Sequence, residues 1–158
     1  MRTKTLLMPP LICLTILVFV RVASAQAGDV AVVVNEHNPV TKMSRAELRK
    51  IFAGEQRSWS AGLPIKVFVR APGTHERGAL LKVLGMTESE YKEYWTRQIF
   101  RGEIQAEPST LPSNGMQREA LIVYPGAVAL VSFQDVKAGM KVLRIEGRKP
   151  GEAGYSLN

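Results

Sequence analysis

The chain has 158 residues, 21 basic and 14 acidic side chains, and a single cysteine, Cys13. That length suits one domain with a proper core, and a lone thiol rules out a disulfide framework within the chain. The net charge of +7 is spread along the sequence apart from a small group at Arg45, Arg49 and Lys50, so no nucleic-acid partner is expected. An excess of positive charge does suit the attraction of small anions.

Residues 1–25 read as a secretory leader: Arg2 and Lys4 open it, an apolar stretch follows, and Ala23-Ser24-Ala25 supplies small residues at −3 and −1. The uninterrupted apolar part, residues 11–20, is shorter than the roughly 20 residues a spanning helix needs. Cleavage after Ala25 is expected to leave 133 of the 158 residues, exported to the periplasm, with no cysteine. The loss of Arg2, Lys4 and Arg21 takes the net charge from +7 to +4. Without a thiolate, cysteine catalysis and thiolate metal sites are excluded.

Beyond the leader, residues 30–34 form a continuous apolar run, the pattern of a strand covered on both faces. Ser44-Arg45-Ala46-Glu47 is a capping box. Leu48, Ile51 and Phe52 then give a helix its apolar stripe, and Gly54 stops it. A loop carrying Trp59 leads to a strand over residues 65–69. The next helix, His75 to Leu84, turns Leu80, Leu81 and Leu84 inward and ends at Gly85. Thr87 caps another, with Tyr91, Trp95 and Ile99 on its buried face. A polar loop with Pro108 and Pro112 precedes a helix over residues 114–123, the Pro125-Gly126 turn, a strand over 127–133 and an edge strand over 141–145. We expect one α/β domain over residues 26–147, with a mostly parallel central sheet flanked by helices, and a Gly-rich tail over 148–158.

The chemistry concentrates where the second strand gives way to its helix, at Arg70-Ala71-Pro72-Gly73-Thr74-His75-Glu76. An Arg closes the strand, Pro-Gly turns the chain, and Thr opens the helix. Ligands of such sheets bind outside the carboxyl ends of strands, and a helix N-terminus offers unpaired N–H groups and partial positive charge to an anion. The candidate ligand-binding residues are Arg70, Gly73, Thr74, His75 and Glu76. Thr74 is also a helix cap in its own right, and Arg70 could instead pair with Glu76.

The same residues, with others around them, resemble the periplasmic phosphate-binding proteins of ABC uptake systems, in particular the second lobe of their type 2 periplasmic-binding fold. The similar segments are Val33-Val34-Asn35, Asn38-Pro39-Val40, Met43-Ser44, Glu47-Leu48, Ile51-Phe52-Ala53-Gly54, Trp59, Gly62, Ile65, Val67 and residues 70–77. Further on come Tyr124-Pro125-Gly126-Ala127-Val128, residues 142–147 and Gly154-Tyr155-Ser156-Leu157. The resemblance implies a single lobe that binds an oxyanion, phosphate first, without catalysis or cofactor. It also implies an ABC permease, a second lobe or a second copy as partner, because the family closes two lobes on its anion. Two positions depart from the family's loop: Pro72 stands where the family has an Asp that accepts the proton of hydrogen phosphate, and Glu76 where it has a Thr. The alternative is a periplasmic interaction module that keeps the fold without the ligand.

Other candidates are weaker. His75-Glu76 begins a His-Glu-x-x-His zinc motif, but residue 79 is Ala, so no metal site is expected. No Ser sits on a strand-to-helix turn between glycines, so acyl transfer is unsupported. His37 reads as a loop residue, Trp59 as a packing anchor, and Ser113-Asn114-Gly115 as a second, weaker helix N-terminus for an anion.

Overall fold

The computed structural model describes residues 28–60 and 62–157; the leader expected over residues 1–25 lies outside the described residues. The elements in chain order are β1 (Val30–Asn35), β2 (Lys42–Met43), α1 (Arg45–Phe52), β3 (Lys66–Arg70), α2 (His75–Leu84) and α3 (Glu88–Phe100). They continue with β4 (Ser109–Leu111), α4 (Asn114–Val123), β5 (Ala127–Ser132), a 3₁₀ turn (Phe133–Asp135), β6 (Met140–Val142) and β7 (Arg144–Ile145).

Five strands form the main sheet in the order β4-β3-β5-β1-β6. β3 pairs in parallel with both β4 and β5, while β1 runs antiparallel between β5 and β6. Four of the five strands therefore point the same way, and the parallel part, β4-β3-β5, sends its carboxyl ends to one edge. The strand expected over residues 141–145 divides at the fully buried Leu143: β6 closes the main sheet, and β7 leaves it to pair in parallel with β2.

Period-two alternation in β1 fills both sides of the sheet. Val30, Val32 and Val34 face a core built with Leu48, Ile51 and Phe52 of α1, Leu80 and Leu84 of α2, and Tyr91 and Trp95 of α3. Ala31 and Val33 face the other side, with Phe68, Ala129, Val131 and Leu121 of α4. Of the face expected on α3, Tyr91 and Trp95 are buried, but Ile99 lies past the edge of the core and is exposed. The tail packs as well. Tyr155 and Leu157 are buried in the larger core, the Tyr155 hydroxyl donates to the Val30 carbonyl at 2.7 Å, and the Leu157 carbonyl accepts from Val30 N at 2.7 Å.

The Pro125-Gly126 turn shows why a glycine stands there: a Cβ on Gly126 would meet the Pro64 carbonyl oxygen at 1.8 Å. The Gly126 carbonyl in turn accepts from the indole of Trp59 at 3.1 Å and from Lys66 N at 3.0 Å, so the turn sets the start of β3 against β5.

Candidate functional site

The corner between β3 and α2 is built by local rules. Pro72 and Gly73 turn the chain, with Gly73 at φ +83, a conformation that favours glycine. Thr74 N approaches the Ala71 carbonyl at 3.4 Å. The Thr74 hydroxyl then accepts from Arg77 N at 3.3 Å and donates to Ala71 O at 2.8 Å, so it caps the helix and fixes the turn together. His75 is exposed, and its Nε2 lies 3.0 Å from the Gly28 carbonyl, which puts the proton on that nitrogen.

Glu76 does not face outward with its neighbour. It is 5% exposed and turns inward, toward the carboxyl end of β5 and the start of α4. Its Oε1 accepts from the Ser132 hydroxyl at 2.7 Å, from Ser132 N at 3.2 Å and from Asn114 Nδ2 at 3.1 Å. The same Asn114 amide gives its other N–H to Asp135 Oδ2 at 2.8 Å. Burial pushes the Glu76 carboxyl up. The bonds from the Ser132 hydroxyl, its own backbone amide, Asn114 and Ser132 N outweigh that and hold it below the ordinary carboxylate range. The group is an anion at neutral pH.

Arg70, at the end of β3, is the nearest cation. Its Nη1 donates to the Leu111 carbonyl of β4 at 3.2 Å, but its Nε stands 3.9 Å from Glu76 Oε2, beyond hydrogen-bond reach, and has no acceptor. The corner thus gathers Arg70, Gly73, Thr74, His75 and Glu76 from one segment, and adds Asn114, Ser132 and Asp135 from two others. Asn114 was legible as part of the second helix N-terminus. Ser132 and Asp135 were not singled out, although Ser132 is the polar residue closing an apolar strand, as Arg70 is.

The remaining candidates have structural partners. Asn35 is buried, with Nδ2 donating to the Leu121 and Ile122 carbonyls at the end of α4. His37 is exposed beside Glu36. Ser44 and Glu47 complete the expected capping box, and Trp59 is buried in the larger core. A cleft of about 330 Å³ opens away from the corner, between Pro39, Val40, Lys42, Glu47, Gln56 and Trp59. Among the described residues, no three His, Cys, Asp or Glu side chains gather where they could hold a metal ion.

A parallel β4-β3-β5 edge with a turn-and-capped-helix corner defines an α/β lobe of the periplasmic-binding type. Residues 23–147 match the family model described as a PBP superfamily domain, and the chain belongs to that family. It is similar in fold to an ABC-type phosphate transport receptor from Vibrio cholerae, with 23% identity and a TM-score of 0.63 over 78% of this chain and 48% of that one. PstS from Borrelia burgdorferi gives 17% identity and a TM-score of 0.58 over 78% and 49%. A phosphate binding protein from Stenotrophomonas maltophilia gives 15% and 0.53 over 78% and 40%. The chain thus spans about half the length, or less, of the solved structures it matches.

Proposed function

We propose that this chain is an exported lobe of the solute-binding type that serves as a periplasmic interaction module, with its anion corner filled by its own Glu76. The observation that carries this reading is the Glu76 carboxylate, anionic, buried and bonded to Ser132 and Asn114. A solute anion entering the corner would find those donors taken. It would also lie beside a like charge, and at 4 Å that repulsion costs about 4 kcal/mol in a partly shielded setting. The partner is then a protein: an ABC permease, a second lobe or a second copy of this chain. No catalytic step is implied.

A second reading, oxyanion binding with phosphate the leading candidate in support of ABC-type uptake, is favoured by one observation. Arg70 Nε has no acceptor, and the first-turn amide of His75 has no carbonyl one turn back within α2 to pair with. On that reading Arg70, Gly73, Thr74 and the amides of His75 and Glu76 hold the anion. One open lobe leaves it in water, where ionic contacts are screened, so binding is weak until a second lobe closes.

The test is a phosphate titration of the purified chain followed by amide shifts of residues 70–77. Silence through the millimolar range, with an exported protein co-purifying, supports the interaction module. Saturable shifts there support the second reading and overturn the first.

A further inference from the structure

Three groups converge on a single oxygen in this corner: the Ser132 amide, the Ser132 hydroxyl and one N–H of Asn114, at 3.2, 2.7 and 3.1 Å from Glu76 Oε1. They come from a strand end and a helix start that lie 56 and 38 residues along the chain from Glu76. Arg70 faces the second carboxylate oxygen at 3.9 Å with its Nε unbonded. The arrangement is a receptor for a carboxylate, and α2 delivers the ligand on its own side chain.

We infer that the cradle of Ser132, Asn114 and Arg70 is a monocarboxylate-binding site whose resident ligand is Glu76, and that shortening this side chain turns the corner into a site for free formate or acetate. The inference rests on the reading that Glu76 fills the corner. The charges set the ligand class. Arg70 supplies one positive charge, and the Asp135 carboxylate, sharing the Asn114 amide at 2.8 Å, supplies one negative. Those two charges cancel, so a monoanion leaves the cradle at the single negative charge it already carries with Glu76 in place. A phosphate dianion adds a charge beside Asp135 that nothing else in the cradle offsets. The converging donors also suit a single oxygen rather than the spread oxygens of a tetrahedral anion.

The experiment compares thermal melts of the full chain and of its Glu76→Ala variant in formate, acetate, phosphate and chloride at matched ionic strength. In the variant, formate and acetate raise the midpoint by about 4 °C at ten times their dissociation constant. Phosphate and chloride do not, and the wild-type protein responds to none of the four. Adding Asn114→Ala to the variant abolishes the formate response. A folded variant that is indifferent to formate, or one that prefers phosphate, overturns the inference. Should Glu76→Ala not fold in any of the four salts, Glu76→Ser takes its place with the same outcomes. In the wild-type protein the Ser132 amide is protected from exchange and unmoved by formate; rapid exchange there overturns the inference without any variant. Phosphate shifts at residues 70–77 of the wild-type chain, by contrast, would sink the functional reading. A formate response in the variant would still stand in that case, so the two failures are distinct.

Discussion

Two adjacent residues of α2, Glu76 and Arg77, are both about 95% buried, yet their surroundings differ in kind. Arg77 has a fitted partner: its Nη2 and Nε donate to the two oxygens of Glu88 at 2.8 and 3.1 Å, and its guanidinium stacks over the Tyr91 ring at 3.9 Å. Burial disfavours its charge, but the Glu88 bonds outweigh that and leave it more firmly protonated than usual. This is a pin between the start of α2 and the start of α3. Glu76 has donors in plenty but no bonded cation, since Arg70 stops short of it. Arg77 grips both oxygens of its carboxylate even though its Nη1 is itself without an acceptor, whereas Arg70 stops short of Glu76 altogether, and that gap sets the two pairs apart.

The comparison breaks most visibly at the pin. Arg77→Ala strands the Glu88 carboxylate, removes the stack on Tyr91 and opens space in the larger core; a loss of about 3 kcal/mol is expected in urea melts. Glu76→Ala in ordinary buffer leaves the Ser132 and Asn114 donors without their acceptor, and about 2 kcal/mol is expected to go by the same measurement. If the second loss exceeded the first, Glu76 would be the structural residue of the two.

Acid sharpens the distinction. The hydrogen bond from Arg77, helped by the charges of Arg77 and Lys92, holds the Glu88 carboxyl low, and the Glu76 carboxyl is low because its donors outweigh burial. Both folded-state values lie under the ordinary one, so each carboxylate contributes stability that is fully present above the unfolded pKa near 4.5 and is lost as pH falls through the folded value. Glu76→Gln is expected to flatten the fall in stability below pH of about 4.5, measured as midpoint against pH, without steepening it at neutral pH. A variant with the wild-type acid limb would mean that the carboxylate is not held by Ser132 and Asn114.

Much of this was readable from residues in a row. The capping box at Ser44 and Glu47, the Thr74 cap with Gly85 closing α2, and the alternation in β1 are local signals, and the elements they announce formed where expected. The short strands β2 and β4 were not readable, because two or three residues carry no period and their pairing is a matter of backbone alone, and β7 was read only as the end of one strand over residues 141–145. The corner divides in the same way. Its turn and cap lie in one segment of seven residues, but the inward turn of Glu76 depends on Ser132 and Asn114, which only the folded sheet brings to it.

The cap gives a smaller effect. Thr74→Ala removes the acceptor of Arg77 N and the tie to Ala71, and about 1 kcal/mol of stability is expected to follow it. The smallest effect on stability should be the most telling for function. Arg70→Gln gives up one bond to the Leu111 carbonyl and a 3.9 Å approach to Glu76, so the melt is expected to move by no more than about 1 kcal/mol, the worth of one hydrogen bond. If Arg70 is held for an external partner, that variant stays folded and loses whatever the corner binds, the co-purifying protein on the first reading or the phosphate shifts on the second. A destabilisation as large as that of Arg77→Ala would show instead that Arg70 and Glu76 are a second pin, and that the corner holds two strands and a helix together and nothing else.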